Sequence, residues 1–458
     1  MHTARITELP YSELSAPLFR SVADLPWPVW LDSAVHGGDG RYDVIAADPY
    51  CRIVTRGEHT AVERRGATLA TSSEPPLEIL RAQLGPHGAR PSGLPFAGGA
   101  IGYLSYDLGR RFERLPATAI ADLEMPDVAV GLYDWAAIVD HHDRRAWLVG
   151  AGRDPQTFAD WQALAARFTA ARGSPPGAPF RVLSRVISSF DRTSYGAAFD
   201  RIQDYIRRGD CYQVNLTQRF SARCAGDAWH AYLRLRAINP APFSAYLDLP
   251  YGKVLSSSPE RFIEVRGTRV RTKPIKGTRP RAAEPAADRG NADALRNSAK
   301  DRAENVMIVD LLRNDLGRSC APGSISATKL FDVESFASVH HLVSTVEGTL
   351  ASGKDALDVL AGAFPGGSLT GAPKVRAMQI IEEVEPYRRG VYCGCIGYVG
   401  FDGDMEMNIA IRTLVQQGDH IYAWAGGGIV ADSNVDAEYQ ESFDKAAAML
   451  EVLLESAV

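Results

Sequence analysis

The sequence lacks the features that mark membrane proteins and nucleic-acid binders. No apolar run approaches the roughly 18 residues that cross a bilayer, and the N-terminal segment MHTARITELPYSEL has no apolar signal core. The 50 lysines and arginines are outnumbered by 55 aspartates and glutamates, so the formal net charge is −5 and there is no basic surplus. We therefore expect neither a membrane nor a nucleic acid as partner, and we expect a cytoplasmic location.

Cysteine is also scarce. The 458 residues include six cysteines, and no pair has the CxxC spacing of a zinc site; Cys393 and Cys395 are separated by Gly394 alone. We expect all six to be reduced thiols. A chain of this length buries a large core without disulfide or metal cross-links, and 45% hydrophobic with 23% charged residues is an ordinary globular composition.

Strand-like and helix-like segments follow one another without the regular alternation of a doubly wound sheet. Residues 42–47 and 213–220 have strand patterns, and residues 253–272 resemble a meander of short strands. Ser194 is a suitable cap for a helix that ends at Gly209, and residues 297–312 have helical apolar spacing. This organisation favours an α+β fold.

One short segment contains a candidate nucleophile. Lys276 lies within KPIKGTRPR at residues 273–281, where the cations Lys273, Arg279 and Arg281 are close in sequence. Neighbouring positive charge and desolvation both lower the pKa of a lysine, as amine nucleophiles require, and Gly277 permits close approach of a substrate. The alternative interpretation is a solvated basic loop.

A candidate general acid precedes this lysine by sixteen residues. If the segments of Glu260 and Lys276 are adjacent strands of one meander, the two side chains face one cleft. A carboxyl group opposite an amine nucleophile is suited to protonate a leaving hydroxyl. The alternative is a surface pair between Glu260 and Arg261.

Two acidic pairs have the spacing of a hard-cation site. Asp301 and Glu304 are three residues apart on one predicted helix, and Glu438 and Glu441 are three apart on another, so each pair shares a helix face. Mg²⁺ typically uses one or two carboxylates together with waters and substrate oxygens. Solvated acidic helix faces are the alternative.

Two glycine clusters fit no nucleotide-binding motif. PGGSLTGAPK at residues 365–374 does not match GxxxxGK[ST], and neither it nor Gly426–Gly428 supplies GxGxxG. We interpret both as tight turns whose backbone N–H groups reach an anion. Arg412 and Lys445 are candidate anion clamps, and His341 is a candidate acid or base with a structural role as its alternative.

Several of these motifs, taken in order, resemble one family. The chain is similar to the chorismate-utilising enzymes, which include anthranilate synthase component I, isochorismate and salicylate synthases, and aminodeoxychorismate synthase component I. The resemblance covers nearly the whole chain and is strongest from about residue 190. It rests on KDRAEN and DLLRND at residues 300–315, PGGSLTGAPK, IAIRT at 409–413, GGGIV at 426–430 and EYQE at 438–441.

The resemblance implies a fold and a division of the chain. The expected fold is that of anthranilate synthase component I, with two facing β-sheets, helices outside and the active-site cleft between the sheets. We expect an N-terminal region over residues 1–175 and a chorismate-binding catalytic region over residues 180–458, intertwined as one two-lobed unit. A Gly/Pro/Ser-rich linker at residues 171–179 separates them.

The segment around Lys276 distinguishes members of the family. PIKGT at residues 274–278 resembles the aminodeoxychorismate synthases, whereas anthranilate synthases carry alanine in place of this lysine. The resemblance implies that Lys276 attacks C2 of chorismate while Glu260 protonates the departing C4 hydroxyl. Ammonia then adds at C4 and gives 4-amino-4-deoxychorismate, which supplies p-aminobenzoate and folate synthesis.

The resemblance also implies metal and substrate ligands. Mg²⁺ is expected between the two acidic helices, with Glu304 and Glu441 as direct ligands and Asp301 and Glu438 bound through water. A dianionic substrate needs concentrated positive charge in the cleft of a chain whose net charge is −5. The expected substrate contacts are Thr278, His341, Tyr398, Arg412, Lys445 and the backbone of Gly426, Gly427 and Gly428.

The N-terminal region resembles the tryptophan pocket of anthranilate synthases. LDS at residues 31–33 stands where Leu-Leu-Glu-Ser is usual, so Asp32 replaces glutamate and Trp30 precedes it. Ser33 is the expected contact to a tryptophan amino group, and a purely structural role for this region is the alternative.

The expected partner is a glutamine amidotransferase subunit that supplies ammonia. A glutaminase domain would need a separate region of roughly 190 residues, and the family resemblance already accounts for the whole chain. The alternatives are an anthranilate or isochorismate synthase of the same family, and an aminodeoxychorismate synthase of secondary metabolism. A subunit that only activates an amidotransferase would have lost the lysine, Glu260 or the acidic pairs, and all are present.

Overall fold

The structure is a computed structural model that describes residues 4–35, 39–65, 67–88, 93–170, 177–336 and 339–456. These residues contain 25 strands. In chain order the strands are β1 Arg5–Leu9, β2 Val29–Asp32, β3 Tyr42–Ala46, β4 Cys51–Arg56, β5 His59–Arg64, β6 Ala67–Ser72, β7 Gly99–Leu104, β8 Val128–Tyr133, β9 Trp135–Asp140, β10 Arg145–Gly150, β11 Arg181–Val182, β12 Ile187–Ser188, β13 Gln213–Ala225, β14 Phe243–Leu249, β15 Gly252–Ser258, β16 Arg261–Arg266, β17 Arg269–Thr272, β18 Ile275–Pro280, β19 Ser326–Ser335, β20 Val339–Thr349, β21 Gly371–Ala372, β22 Cys395–Gly400, β23 Met405–Asn408, β24 Thr413–Gln417 and β25 His420–Ile429.

The same residues contain eleven α-helices and two 3₁₀ turns, at Tyr106–Arg111 and Gly367–Leu369. The helices are α1 Ala16–Arg20, α2 Pro76–Leu84, α3 Pro155–Ala159, α4 Trp161–Thr169, α5 Arg192–Arg207, α6 Ala228–Ile238, α7 Pro285–Asn297, α8 Ala299–Leu316, α9 Ala356–Ala363, α10 Lys374–Val384 and α11 Val435–Glu455. Among the described residues, no helix combines the length and apolarity that crossing a membrane requires.

Two large antiparallel sheets organise the chain. The first runs β1-β10-β9-β3-β2-β14-β15-β24-β25-β13-β11, and β12 and β21 also pair with β13. The second runs β18-β20-β17-β16-β23-β22-β7-β8-β4-β5-β6, and β19 pairs with β20. The predicted α+β fold with two sheets is confirmed.

Alternation along the strands produces the core between the sheets. In β2 and β3, Val29 and Val44 point toward the second sheet, whereas Trp30 and Ile45 point the opposite way, since successive strand residues face opposite sides. Val29 and Val44 pack in one core with residues of the second sheet such as Tyr103. The first sheet is therefore buried on both faces.

Helices cover the outer surfaces. α6 and α11 pack on the first sheet at β15 and β25, and α11 also contacts α6. α7 and α8 pack on the end of the second sheet, against β18, β19 and β20. Consequently α8 and α11, which carry the predicted acidic pairs, both lie beside the ends of the sheets formed by β18, β20, β25 and β13.

Strands from both predicted regions share each sheet. β2 pairs with β14 in the first sheet, and β7 pairs with β22 in the second. The boundary at residues 175–180 stays a prediction, because most of the predicted linker, residues 171–176, lies outside the described residues.

Two of the places where the chain passes from one sheet to the other are neighbours. β15 belongs to the first sheet and β16 to the second, and β23 and β24 make the reverse passage. The two crossings are tied together, because the backbone N–H of Ile409 donates to the carbonyl of Glu260 at 3.0 Å and Ser258 Oγ donates to the carbonyl of Ile409 at 2.6 Å. The predicted meander over residues 253–272 is thus divided between two sheets.

One predicted helix start was wrong by a few residues. α5 begins at Arg192 and is capped by Asp191, whose side chain accepts from the backbone N–H of Ser194 at 2.7 Å. In return, Ser194 Oγ accepts from the backbone N–H of Asp191 at 3.0 Å. The serine is the third residue of a capping box, and the aspartate three residues earlier is the cap.

We expect the aromatic cluster behind the first sheet to be a main source of stability. Trp30 is fully buried against Phe19, Trp229 and Tyr232, with ring centroids 5.7–6.0 Å away. Replacing Trp30 with alanine should lower the free energy of unfolding by about 3–5 kcal/mol, because it leaves a large cavity. Denaturant unfolding measures this, with the exposed Leu454→Ala as control; a loss under about 1 kcal/mol for Trp30→Ala would contradict the assignment.

Candidate active site

Glu260 lies at the first crossing between the sheets. It sits between β15 and β16 and is 5% exposed. The expectation that Glu260 and Lys276 lie on adjacent strands was wrong, because β17 and β20 separate β16 from β18. The crossing itself, rather than strand pairing, brings the carboxyl group to the end of β18.

A bulge in β18 positions Lys276. Ile275 pairs with Val343 and Thr278 pairs with His341, so the register shifts across Lys276 and Gly277. Gly277 has φ +80°, and a Cβ there would lie 2.8 Å from Leu295 Cδ1 and 2.9 Å from Asp301 Cγ. The positive φ and the close approach of α7 and α8 both require glycine here, and the predicted close approach of a substrate stays a prediction.

Ser368 connects the predicted nucleophile to the predicted acid. Its hydroxyl donates to Glu260 Oε1 at 3.1 Å, and its carbonyl accepts from Lys276 Nζ at 3.2 Å. Ser368 is buried in the 3₁₀ turn of the PGGSLTGAPK segment. The sequence indicated this segment as a turn but did not single out its serine.

The surroundings shift the pKa values of both groups toward their neutral forms. Burial raises the pKa of Glu260 to about 7, although Lys276, Ser368 and Lys445 act to lower it. Burial and the charge of Lys445 lower the pKa of Lys276, with Glu260 as the main opposing charge. Glu260 therefore keeps a protonated carboxyl group near neutral pH, the form that a general acid needs, and the pKa of Lys276 is shifted toward the neutral amine that a nucleophile needs.

Arg412 lies at the second crossing, next to this pair. Its side chain makes a 3.5 Å contact to Asn239 Oδ1, and among the described residues it forms no ion pair within 4 Å. Burial lowers the pKa of Arg412, and the nearby Glu260 acts to raise it. A partly buried cation without a carboxylate partner is suited to bind an anionic ligand.

His341 is buried and neutral at physiological pH. Burial and the charge of Arg412 lower the pKa of His341 to about 3. Its Nδ1 lies 2.8 Å from Thr278 Oγ1, which joins β18 to β20. The predicted residues Thr278 and His341 are thus brought together beside Lys276, and the low pKa of His341 favours neutral hydrogen bonding over an imidazolium acid.

Two polar residues of β13, Asn215 and Gln213, lie next to Ser368, and the sequence pattern did not indicate them as site residues. Asn215 Nδ2 donates to the carbonyl of Ser368 at 3.3 Å, and Gln213 Nε2 donates to Asn215 Oδ1 at 3.5 Å. Gln213 Oε1 is buried and has no hydrogen-bond partner within the described part of the chain. Their alternation in a buried strand was the available signal.

The glycines at residues 426–428 lie in a strand, so the predicted turn there was wrong. Within β25, Gly426, Gly427 and Gly428 pair with Thr217, Leu216 and Asn215 of β13. A Cβ on Gly427 would lie 3.0 Å from Glu438 Oε2 and 3.3 Å from Glu441 Oε1. The absence of side chains therefore makes room for the acidic groups of α11 against the sheet.

The four predicted metal carboxylates lie on α8 and α11, and their hydrogen-bond and ion-pair partners differ. Glu441 is 2.6 Å from Lys445 Nζ, and Asp301 is 3.0 Å from Arg279 Nη2. Glu438 accepts from Ser433 Oγ at 2.7 Å, and no hydrogen bond or ion pair to the Glu304 carboxylate is present among the described residues.

The charge balance of these carboxylates fits a hard cation. Burial raises the pKa of Glu304 and of Glu438, and Glu441 adds to both shifts because like charges are close together. No group of three or more potential ligands within the described ranges is arranged to hold a metal ion alone. Mg²⁺ needs only one or two carboxylates besides water and substrate oxygens, so the donor set suits that ion.

Lys445 connects the acidic groups to the glycine strand. Besides its ion pair with Glu441, its Nζ donates to the carbonyl of Gly426 at 3.1 Å. The side chain is exposed, as a group that meets an incoming anion must be. The structure therefore brings Lys445 into the same site as Lys276 and Glu260.

Tyr398 lies elsewhere. It lines a solvent-open pocket together with Ser33 and Asn408, and its hydroxyl accepts from Arg266 Nη2 at 2.7 Å. The structure does not place it with Lys276. Ser33 donates its hydroxyl to the carbonyl of Tyr42 at 2.8 Å, and its predicted contact to tryptophan stays a prediction.

Comparison with known proteins is decisive for the family. The profile of the family described as chorismate binding enzyme matches residues 29–451. The chain belongs to this family. The family membership predicted from the motifs is confirmed. Within this family, the chain carries Lys276 and Glu260 joined through Ser368.

The chain is similar in sequence to aminodeoxychorismate and anthranilate synthase components, and similar in fold to a solved anthranilate synthase component. Aminodeoxychorismate synthase component 1 of Klebsiella aerogenes is 50% identical over 431 residues, 93% of this chain and 94% of the relative. Anthranilate synthase component 1 of Thermus thermophilus is 43% identical over 365 residues, 78% of each chain. The crystal structure of anthranilate synthase component I from Streptococcus pneumoniae superposes with a TM-score of 0.79 at 30% identity and covers 91% of this chain and 93% of that chain.

We expect Lys276 to react with amine-directed reagents at unusually low pH. Because burial and Lys445 lower its pKa, the midpoint of its modification rate should lie below the ordinary lysine value of about 10.4. Glu260→Gln should move the midpoint lower still, since the carboxylate charge raises the pKa of Lys276. Peptide mass spectrometry across a pH series measures both; a midpoint at or above the ordinary value would contradict the geometry.

Proposed function

We propose that this chain converts chorismate and ammonia into 4-amino-4-deoxychorismate, with Lys276 as nucleophile and Glu260 as general acid. The observation that carries the proposal is the buried Lys276–Ser368–Glu260 connection, which holds an amine and a carboxyl group on opposite sides of one serine. The relative named aminodeoxychorismate synthase component 1 supports the choice of product. The product in turn supplies p-aminobenzoate and folate synthesis.

The first displacement forms a covalent intermediate. The neutral amine of Lys276 attacks C2 of chorismate, the ring double bonds shift, and the bond from C4 to its hydroxyl breaks. Glu260 gives its proton to that hydroxyl, which leaves as water. The resulting Glu260 carboxylate then takes up the proton that the alkylated lysine nitrogen releases, so charge and protons balance.

The second displacement reverses the shift of the double bonds. Ammonia attacks C4, and the bond between C2 and Lys276 Nζ breaks. The lysine nitrogen leaves with a proton that the new amine gives up. The first displacement forms a bond at C2 and breaks one at C4, and the second does the reverse, so nitrogen is at C4 in the product. Direct attack of ammonia at C2 leads toward anthranilate instead.

Positive groups around the cleft are assigned to the carboxylates of chorismate. Arg412, which forms no ion pair with a described carboxylate, and the exposed Lys445 supply charge, and the neutral His341 with Thr278 supplies hydrogen bonds. The backbone of Gly426–Gly428 forms the floor of the site. Together they orient the ring so that C2 faces Lys276.

Glu304 and Glu441, with Asp301 and Glu438 behind them, are the residues that would hold Mg²⁺. When bound, the ion would neutralise the C1 carboxylate of chorismate and polarise the ring toward loss of the C4 hydroxyl. Glu441 is the carboxylate closest to Lys445, so the ion and the lysine share the task of balancing charge.

Ammonia is expected from a glutamine amidotransferase subunit. The relatives' name, component 1, supports the existence of a second component, and ammonium in solution is the alternative source of nitrogen. We also propose a cytoplasmic location, which the six buried and unbridged cysteines support.

Anthranilate synthesis is the second candidate, because a relative named anthranilate synthase component 1 is 43% identical. Lys276 argues against it, since direct attack of ammonia at C2 needs no lysine nucleophile, and the family resemblance implies alanine at this position in anthranilate synthases. Isochorismate synthesis would need water rather than ammonia as the nucleophile, and the same lysine argues against it.

Replacing Lys276 with alanine tests the chemistry. With chorismate, Mg²⁺ and ammonium, the wild type should form 4-amino-4-deoxychorismate, and Lys276→Ala should lose that product by on the order of 10³-fold or divert to another, because the nucleophile is gone. Chromatography with mass detection separates the products. Lys253→Ala, which removes a hairpin lysine paired with Asp248, is the control. Anthranilate or isochorismate from the wild type would overturn the proposal.

Replacing Glu304 with glutamine tests the metal site. The Mg²⁺ concentration that gives half-maximal activity should rise by about 10- to 100-fold, because an oxygen donor and a negative charge are both weakened. Glu451→Gln, on the exposed face of α11, should leave the Mg²⁺ dependence unchanged. The same Mg²⁺ dependence in Glu304→Gln and the wild type would contradict the assignment.

A further inference from the structure

A buried ion pair lies directly behind the active site. Arg389 is 1% exposed and Glu385 is 5% exposed, and the two side chains form a bidentate contact at 2.6 and 2.9 Å. Glu385 also accepts from the backbone N–H and the hydroxyl of Thr217, both at 2.9 Å. Thr217 lies opposite Gly426 in the sheet, so the carboxylate anchors the strand that forms the floor of the site.

The remaining donors of Arg389 reach two backbone carbonyls next to the catalytic residues. Nη1 donates to the carbonyl of Leu369 at 2.8 Å, and Nη2 donates to the carbonyl of Asn215 at 3.0 Å. Leu369 follows Ser368 in the 3₁₀ turn, and the side chain of Asn215 donates to the carbonyl of Ser368. One guanidinium therefore holds the turn that carries Ser368 and the strand that supports it.

Bulk stability alone does not account for this arrangement. A buried ion pair is costly to desolvate, and apolar residues of similar volume often replace such pairs without loss of stability. The planar guanidinium presents its donors in a rigid fork, and here four contacts reach both oxygens of Glu385 and two backbone carbonyls. A lysine ammonium has three donors and no fixed fork, so it cannot make all four. Apart from the ion pair with Glu385, its hydrogen bonds reach Leu369, next to Ser368, and Asn215, on the strand beneath the site.

We infer that Arg389, fixed by Glu385, is a positioning residue that holds Ser368 so that its hydroxyl meets Glu260 and its carbonyl meets Lys276. The inference rests on the proposed function, in which those two groups perform the covalent step. Arg389 does not touch the substrate and acts through Ser368.

The test is Arg389→Lys, assayed for kcat, KM and pH profile with chorismate, Mg²⁺ and ammonium. We expect kcat per folded protein to fall by about 10- to 100-fold while the KM for chorismate changes less than about threefold, because the acid and nucleophile lose their alignment and the carboxylate-binding groups do not. The alkaline limb, where the acid Glu260 loses its proton, should move to higher pH. The hydrogen bond from Ser368 stabilises the Glu260 carboxylate and so lowers its pKa, as do the nearby positive charges, which belong to Lys276, Lys445 and Arg412. Only the serine contact is weakened in the variant, so the pKa of Glu260 should rise.

Ser368→Ala provides the link between the two residues. It should move the same limb in the same direction, and Arg389→Lys added to it should move the limb no further, since residues that act through one contact are not additive. Additive shifts would overturn the inference.

Arg236→Lys is the matched control. It makes the same substitution in a second buried ion pair, with Asp32 in the first sheet, and should lower stability without moving the pH limb. If Arg389→Lys behaves like this control, with unchanged kcat per folded protein and an unchanged limb, the role is structural and the inference is overturned.

A milder variant covers the case in which Arg389→Lys does not fold. Thr217→Val removes a single hydroxyl donor from Glu385 and keeps the ion pair and the backbone donor; it should lower kcat and raise the limb by a smaller amount, and no change would overturn the inference. The wild type separates the two levels of the proposal. A wild type that forms no 4-amino-4-deoxychorismate refutes the proposed function, whereas an active wild type with an unaffected Arg389→Lys refutes the inference alone.

Discussion

The site depends on the burial of one carboxyl group where the chain crosses between two sheets. Glu260 cannot be solvated there, so its pKa rises to about 7 and the protonated form persists near neutral pH. The same enclosure lowers the pKa of Lys276. Burial in the same enclosed space therefore favours the protonated form of the acid and the neutral form of the nucleophile. On an exposed surface neither group would have this shift.

The framework around this space is built to keep polar groups in register. The two sheet crossings are hydrogen-bonded to each other, which fixes Glu260 relative to the segment of Arg412. On the opposite side, glycines of β25 let the acidic helix α11 approach the sheet, and the bulge at Gly277 lets α8 approach β18. Close backbone packing thus concentrates cations and carboxylates in a chain whose net charge is only −5.

Much of the site could be predicted from the sequence because its motifs are local. The acidic pairs on α8 and α11 are three residues apart, and Lys276 stands in a short segment that distinguishes family members. The α+β fold also followed from the order of strand and helix patterns. Long-range placement could not be predicted in this way: Glu260 and Lys276 meet through a sheet crossing, and a contiguous-looking meander is shared between two sheets.

The roles of three further residues could not be predicted for a related reason. Ser368, Asn215 and Arg389 are unremarkable types, and the backbone carbonyls that Asn215 and Arg389 bind here lie 20 to 174 positions away. Tyr398 shows the reverse case, since the family resemblance implied a substrate contact, whereas the side chain lines the pocket of Ser33. Strand position in the sheet, rather than motif membership, decides which cavity a side chain enters.

The covalent role of Lys276 is tested most directly by peptide mass spectrometry of enzyme incubated with chorismate and Mg²⁺ but without ammonia. We expect the peptide that contains Lys276 to gain the mass of chorismate less one water, and we expect ammonium to discharge this adduct as 4-amino-4-deoxychorismate. Product formation on adding ammonium, with the Lys276 peptide unmodified throughout, would contradict covalent catalysis and leave direct amination as the mechanism.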